Sequence, residues 1–434
     1  PPGPPPSLLL GNVSDVPTSK EAEGFAKLGA KYGPLVHLRL LHKHMIIINS
    51  LDVAEDLLER RGAIYSDRPP FTMLGDLMGW NWAPTFMPYG PLWRAHRRVF
   101  QSRIGTTSLS PHLRAVQQYA NVKLLQGLLE TPEDFMQHTH CSAAAGLLMM
   151  SFGIDIEKDN SLLKLNEAGV DSIVEAGVPG RYAVDAWSAL KHVPIWMPGA
   201  GFKRQARAWR DLATRVLEEP FAHTRSAMAS TTSPSLKSSR DPQERHLQEC
   251  NLLSLSSARS PYIVAGVDTV KSYVNAGILA LVLDQEIQRR MHAEIVGAIG
   301  SDKLPTAEDR EVLPLVEAFV REVYRFYPPV PLGIPHSLMQ DDVYKGYLIP
   351  MGSTIVANIW AMLRDPAVYS EPHLFNPNRF LTDGGHLSTT VPDPRTAVFG
   401  FGRRTCPGRL YGDEALWLAL ATIVACFTVE PSHN

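Results

Sequence analysis

Three things are scarce in this 434-residue chain: net charge, cysteine and long apolar runs. The 42 basic residues almost balance the 44 acidic ones, so no basic field exists to attract nucleic acid, and we exclude a nucleic-acid partner. The four cysteines form no C-x-x-C pair and are too few for a disulfide framework or a zinc cluster, which fits a reducing compartment. The longest apolar run, 415–429, is shorter than the ~20 residues that cross a bilayer.

The composition is otherwise that of a folded globular chain, with 44% apolar and 20% charged residues. Proline is abundant, with 35 residues, and the start Pro1-Pro2-Gly3-Pro4-Pro5-Pro6 predicts a rigid spacer. Because the chain begins without methionine, we expect it to be a fragment whose spacer joins something upstream.

The apolar pattern predicts a mainly α protein with a small β region. Apolar residues at helical spacing predict helices within 21–32, 114–129, 202–217, 264–298 and 308–327. Alternating β-branched residues predict a hairpin over 35–49, around His42-Lys43-His44, and short strands between 330 and 356. Many prolines and glycines predict a long ordered coil over 365–396, directly before the most specific motif in the chain.

That motif, Phe399-Gly400-Phe401-Gly402-Arg403-Arg404-Thr405-Cys406-Pro407-Gly408, places one cysteine between glycines, after arginines and before an apolar helix. Positive neighbours, free backbone N–H groups and a helix N-terminus all lower a thiol pKa, so the pattern favours a thiolate held for a metal. The glycines let the backbone turn sharply and approach a flat ligand. The alternative is an inert buried cysteine, which is the commoner case for a lone thiol.

The order Phe399, Gly402, Arg404, Cys406 and Gly408 resembles the haem-binding loop of the cytochrome P450 family, F-x-x-G-x-R-x-C-x-G. The resemblance implies the cytochrome P450 fold and a haem b cofactor whose iron is bound by the Cys406 thiolate. It also implies that Arg404 pairs with a haem propionate.

Two further segments resemble structural parts of that family. Glu322 and Arg325 match its E-x-x-R helix motif, although such a spacing alone is more often a solvated ion pair. The run 375–380 is similar to the family's P-E-R-F segment, with Asn378 in place of the usual acidic residue. The resemblance implies a triad of Glu322, Arg325 and Arg379 that holds the cysteine loop in place.

Two segments resemble parts that act on oxygen and haem. Ala265-Gly266-Val267-Asp268-Thr269 is similar to the family's A-G-x-D-T segment, which implies that Asp268 and Thr269 deliver protons and that Gly266 admits a ligand. Without the cysteine loop, a tolerated glycine and a surface aspartate would explain this segment equally well. Trp93 and Arg97 match W-x-x-x-R and are implied to bind the second propionate.

His336 is a further candidate for a propionate contact, although a lone histidine is more often structural.

Local runs, among them 65–69 and 193–202, resemble the fungal microsomal branch of the family, of the basidiomycete type similar to O-methylsterigmatocystin oxidoreductase. This implies a monomer on the cytosolic face of the endoplasmic reticulum membrane, held by an N-terminal helix that this chain lacks. It also implies electrons from NADPH, supplied by NADPH–cytochrome P450 reductase. The apolar Ile195-Trp196-Met197 favours contact with the bilayer surface or, equally, an ordinary packed turn.

The sequence thus predicts one catalytic domain over 1–434, a haem-thiolate monooxygenase. It would insert one oxygen atom of O2 into an apolar small molecule, either a secondary metabolite or a xenobiotic. Two departures leave alternatives open: the chain ends before the family's β-rich C-terminal segment, and Arg259-Ser260-Pro261 places a proline where the family has helix.

The alternatives are a non-catalytic, truncated haem-binding remnant and a haem-thiolate isomerase or dehydratase that needs no reductase. Asp268 and Thr269 argue against the second, since such chemistry requires no proton delivery to dioxygen.

Overall fold

The structure is a computed structural model that describes residues 1–104, 107–154, 161–177, 181–231 and 265–431. The chain divides into two compact units, each described below by itself. Unit 1 comprises Pro1–Pro69, Asn121–Thr139 and Thr269–Asn434, and unit 2 comprises Pro70–Ala120 and His140–Asp268. The segment Arg259-Ser260-Pro261, which departs from the family pattern by a proline, lies outside the described residues.

Helices dominate the described residues, as the sequence predicts. The α-helices are α1 (Glu21–Tyr32), α2 (Leu51–Ala54), α3 (Pro91–Ile104), α4 (Pro111–Glu130), α5 (Phe135–Phe152), α6 (Ser161–Gly177), α7 (Ala183–Ala186), α8 (Gly201–Thr231), α9 (Ala265–Leu283), α10 (Gln285–Ile299), α11 (Pro314–Phe326), α12 (Ile359–Met362), α13 (Arg395–Val398) and α14 (Arg409–Cys426). Short 3₁₀ helices are Val13–Asp15, Trp80–Trp82, Pro132–Asp134, Ser188–His192, Ala307–Val312, Pro377–Phe380 and Gly402–Arg404, and π-helical segments are Glu55–Arg60 and Thr72–Leu77.

The β region lies in unit 1 and is small. Its strands are β1 (Leu35–Leu40), β2 (Lys43–Ile48), β3 (His336–Ser337), β4 (Asp342–Tyr344), β5 (Tyr347–Ile349) and β6 (Thr354–Ala357). One sheet has the order β1-β2-β6-β3, in which only β2 and β6 run parallel, and β4 and β5 form a separate hairpin. The first hairpin turns at Leu41 and His42, with a left-handed φ of 57° at Leu41, so of the predicted His42-Lys43-His44 only His42 lies in the turn and the other two belong to β2.

Helix boundaries follow proline and capping residues. The predicted helical stretch 264–298 is two helices, because Asp284 ends α9 and caps α10 by accepting the N–H of Ile287 at 3.0 Å. Helix α11 begins at Pro314 and not at Glu308, since proline suits a first helical turn. It ends at Phe326, ahead of the prolines that the sequence analysis identified as its stop.

Two apolar clusters in unit 1 flank the cysteine loop. One cluster gathers α9, α10, α11 and α14 around Phe319 and Trp417, and Phe399 packs against it. The other lies between the sheet and the segment after α2, and it contains Phe401. The loop's alternate aromatic residues are therefore inserted into separate cores, which restrains the backbone that leads to Cys406.

Unit 2 is helical, and α6 packs along α8 at a glycine. A Cβ on Gly169 would lie 3.0 Å from Val216 and 3.6 Å from the fully buried Trp80. Between α7 and α8 the side chain of Trp196 is 77% exposed, with Ile195 and Met197 less so.

Among the described residues, one helix, α9, is long and apolar enough to cross a membrane by length and composition, and 39% of its apolar window is buried. Core helices of soluble proteins also satisfy these criteria.

Candidate active site

The cysteine loop of unit 1 is folded by its glycines against the protein's own backbone. Gly402 has a φ of 54°, and a Cβ there would lie 2.1 Å from the carbonyl oxygen of Leu58. Its N–H donates to Glu59 Oε1 at 3.0 Å, and the N–H of Cys406 donates to the carbonyl of Phe399 at 2.7 Å. Sequence reasoning assigned the loop glycines to a flat ligand, whereas Gly402 is required by the packing of the loop itself.

Gly408 differs from Gly402 because it faces the sulfur. The nearest atom to a Cβ built on Gly408 is Cys406 Sγ, at 4.0 Å. Gly408 is also the N-cap of α14, so the positive end of an 18-residue helix lies two residues from the thiol. Cys406 is half-buried, next to Arg403 and Arg404 in sequence. This surrounding favours a thiolate, which fits a cysteine ligand of haem iron.

Three basic side chains meet in the interior of unit 1. Arg68 Nη1 donates to the carbonyls of Ile334 and Pro335, both at 2.8 Å, and Arg404 Nε donates to the carbonyl of Ser66 at 2.7 Å. His336 Nδ1 bonds the carbonyl of Tyr65 at 2.7 Å.

Arg68, Arg404 and His336 are each more than nine-tenths buried. We call them the buried basic cluster.

The two guanidinium charges of the buried basic cluster repel each other, and both disfavour a charge on His336. Burial, followed by the charge of Arg404, holds the pKa of Arg68 well below its ordinary value, with only partial relief from Asp67. Burial and the charge of Arg68 lower the pKa of His336 to about 3, so the imidazole is neutral at pH 7. The cluster gathers two guanidinium groups in the interior of the unit, and guanidinium groups bind carboxylates, so its chemistry fits a carboxylate-bearing ligand such as a haem propionate.

Sequence reasoning named Arg404 and His336 as propionate contacts, and the structure brings these two together. It missed Arg68, which appeared only within the run 65–69 that resembles the fungal branch. The available signal was an arginine beside proline in an apolar stretch, but burial of its guanidinium depends on residues near 334, far away in sequence.

The predicted triad assembles in unit 1. Arg325 donates through Nε and Nη2 to the two oxygens of Glu322, each at 2.7 Å, and neither side chain has exposed surface. Arg379 Nε lies 3.2 Å from Glu322. Other hydrogen bonds of the triad go to backbone groups of the coil, namely those of Leu363, Ser370, Glu371, Pro372, Leu374 and Asn376.

The departure at Asn378 is accommodated outside the triad, because its side-chain oxygen accepts Arg290 Nη2 at 3.0 Å.

The segment 265–269 forms the first turns of α9. Asp268 and Thr269 are half-buried, and Val267 between Gly266 and Asp268 is fully buried. A Cβ on Gly266 would lie 2.7 Å from Leu147 Cδ1 of unit 2, so a larger residue there would have to displace the end of that leucine side chain. The acid and the alcohol are neighbours on one helix, as proton delivery requires.

Trp93 and Arg97 lie on α3 of unit 2, one turn apart. Trp93 is buried, and its ring centroid lies 5.2 Å from that of Tyr89. His96, between them, is also buried, and burial lowers its pKa.

Comparison with known proteins places the chain in a family. The family model for cytochrome P450 matches residues 1–434. Cytochrome P450 monooxygenase 208 of Postia placenta is 36% identical over 437 residues, covering 99% of this chain and 84% of the relative. Cytochrome P450 monooxygenase COX1 of Coprinopsis cinerea is 38% identical over 440 residues (99% and 84%), and tryptamine 4-monooxygenase of Psilocybe cyanescens is 36% identical over 441 residues (99% and 86%).

The helical fold with its small sheet and the cysteine loop agree with these matches. The chain belongs to the cytochrome P450 family of haem-dependent monooxygenases.

Proposed function

We propose that the chain binds haem b through the Cys406 thiolate and inserts one oxygen atom of O2 into an apolar small molecule. The observation that carries the proposal is the buried basic cluster in the same unit as Cys406. Arg404 belongs to both features, since it lies two residues before the cysteine and inside the cluster. A ligand with a soft iron centre and carboxylates at its edge matches this pairing of thiol and cations.

Within this proposal each residue has a role toward the haem. Arg404 and Arg68 neutralise one propionate, which His336 also contacts, and Trp93 and Arg97 hold the other. Phe399, Gly402 and Gly408 shape the cysteine loop, and the triad of Glu322, Arg325 and Arg379 supports it. When bound, haem supplies a redox-active iron that activates dioxygen.

Proton supply falls to the start of α9. Thr269 donates its hydroxyl proton toward the side of the site where dioxygen would bind. Asp268 then passes a proton from solvent back to that hydroxyl. Gly266 keeps the helix backbone free of a side chain at the same level.

Electrons come from NADPH through NADPH–cytochrome P450 reductase, and Arg403 and Arg409 attract its acidic surface. The protein acts as a monomer, with residues 1–434 forming one catalytic domain. It works at the cytosolic face of the endoplasmic reticulum membrane, where the exposed Trp196 and its apolar neighbours contact lipid. The substrate is a secondary metabolite or a xenobiotic. Tryptamine belongs in the first screen because one relative is a tryptamine 4-monooxygenase.

A carbon monoxide difference spectrum of the reduced protein tests the haem ligand. We expect the thiolate-type band in the wild type and in Cys426→Ala, a matched control at an exposed cysteine of the same unit. We expect no such band in Cys406→Ala. A thiolate-type band in Cys406→Ala, or its absence from the wild type, would overturn the assignment.

Turnover separates the proposal from its alternatives. With reductase and NADPH, a monooxygenase consumes O2 and forms an oxygenated product. Conversion without reductase or O2 would instead indicate an isomerase or dehydratase. Normal haem uptake with no product from any substrate class would indicate a haem-binding remnant.

A further inference from the structure

A second group of charged residues, separate from the Glu322 triad, links the segments before and after the cysteine loop of unit 1. It consists of three arginines and three carboxylates whose side chains are linked through ion pairs. The six residues, called here the arm network, are Arg310, Glu317, Arg321, Asp393, Arg395 and Asp413.

Arg395 joins the two arms of the loop. It begins α13, which leads directly into Phe399, and its Nη1 lies 3.1 Å from both oxygens of Asp413. Asp413 lies near the start of α14, which follows the loop. The same guanidinium donates to Asp393 at 2.9 Å through Nε, so all of these contacts lie on the two chain segments that enter and leave the loop.

Glu317 ties both arms to α11. One carboxylate oxygen accepts Arg395 Nη2 at 2.6 Å, and the other accepts Arg310 Nε at 2.8 Å. Arg310 Nη1 in turn donates to Asp413 at 2.8 Å. Each arm therefore has its own ion pair, and one 5%-exposed carboxylate connects both.

The charges in the arm network are balanced and mutually dependent. Burial alone would lower the pKa of Arg395, but hydrogen bonding to Asp393 and the charges of Asp413 and Glu317 raise it above its ordinary value. The pKa of Arg310 is likewise raised by Asp413 and Glu317 against the effect of burial. Removal of Asp413 takes one counter-ion from both Arg395 and Arg310 and leaves three partly buried guanidinium groups facing two carboxylates, which favours separation of the arms.

The Glu322 triad and the arm network contact different parts of the chain. Backbone contacts of the Glu322 triad go to the coil between Leu363 and Asn376. The arm network instead contacts the residues at either end of the loop, four positions before Phe399 and seven after Cys406. Helix α11 carries Glu317 and Glu322, so one helix anchors both.

We propose that the arm network positions the Cys406 sulfur by holding the two arms of its loop at a fixed separation. Arg395 and Asp413 are its central positioning residues. The proposal rests on the proposed function, because it concerns the sulfur assigned to iron. The restraint does not depend on haem, so we expect the network to keep the hydrogen bond from the Cys406 N–H to the Phe399 carbonyl, 2.7 Å long here, in the haem-free chain as well.

The first test uses hydrogen exchange of the haem-free chain, in the variants Asp413→Asn and Arg395→Gln. We expect exchange of the peptide containing residues 399–408 to rise by a factor of about five to thirty. Asp413→Glu, which keeps the charge, should restore slow exchange. The matched control is Glu294→Gln. Glu294 lies outside the network and accepts the N–H groups of Leu315 and Val316 at the start of α11, the helix that carries Glu317.

The second test uses the reduced protein with carbon monoxide. In both variants we expect a larger share of the band typical of a neutral thiol or displaced ligand, with the wild type and Glu294→Gln keeping the thiolate-type band. Unchanged loop exchange and an unchanged band ratio would overturn the inference, as would equal effects in Glu294→Gln. If the wild type itself lacked the thiolate-type band, the haem assignment would fail, and the hydrogen-exchange test would still decide the role of the network in the fold.

Discussion

Glu322 and Arg325 form a two-point ion pair in which both contacts measure 2.7 Å and neither side chain reaches solvent. The spacing of three on α11 brings them to one helix face. In most proteins such a pair is exposed and adds little to stability, whereas here the remaining donors of Arg325 bond the carbonyls of Leu363, Pro372 and Leu374. The pair therefore fixes the path of an otherwise irregular coil.

Breaking the pair of Glu322 and Arg325 should strongly destabilise the folded chain. Glu322→Gln leaves a fully buried guanidinium without its counter-ion, and we expect the unfolding free energy to fall by about 3–5 kcal/mol. Urea unfolding of the haem-free chain measures the change. Glu219→Gln, which breaks an exposed pair with Arg215 on α8, should change it far less, because solvent screens that pair. Similar losses in the two variants would contradict this view of the buried pair.

The sequence predicted the local features of this site more successfully than the distant ones. It predicted α1 with both of its boundaries, because helical spacing contains that information, and it identified Glu322, Arg325 and Arg379 through the resemblance of two short motifs to the family. It did not indicate the link between Arg310 and Asp413 or the burial of Arg68. Each depends on groups far apart in the chain, and each charge looks like a solvated surface residue when taken alone.

Gly402 combines a left-handed φ with close packing against the backbone of Leu58, and the destabilisation caused by each can be measured separately. Gly402→Ala should lose about 1–2 kcal/mol from the backbone conformation, plus about 1–3 kcal/mol because the new methyl group meets the carbonyl oxygen of Leu58. Gly346→Ala is the matched control, since Gly346 has a φ of 81° with open space at its Cβ position. Urea unfolding midpoints should therefore fall further in Gly402→Ala. Equal shifts would show that the loop yields easily at Leu58.

Arg68 should matter for retention of haem, since we assign it to a propionate. In Arg68→Gln we expect transfer of haem to excess apomyoglobin to be faster by a factor of about ten to a hundred, the effect of losing one charge-assisted hydrogen bond. Arg61→Gln serves as control, because Arg61 already has Asp342 as its counter-ion at 2.7 Å. Equal transfer rates in wild type and Arg68→Gln would remove Arg68 from the haem site.

The low pKa of His336, about 3, makes the stability of the haem-free chain depend on pH. The unfolded imidazole titrates near its ordinary value of 6.5, so between pH 6.5 and about 3 the unfolded chain binds the extra proton. Stability should therefore fall as the pH falls through this range, by up to about 1.4 kcal/mol per pH unit, and should not depend on His336 above it. Urea unfolding between pH 5 and 6 should show a smaller slope in His336→Gln than in the wild type.

His37 provides an internal comparison, because burial and then the neighbouring His44 lower its pKa to about 4. His37→Gln should also reduce the slope. A bound propionate favours the protonated imidazole of His336 and raises its pKa, so haem should reduce the contribution of His336 and leave that of His37. Equal slopes in the haem-free wild type and His336→Gln would contradict the low pKa. A contribution from His336 that persists unchanged with haem bound would place the propionate elsewhere.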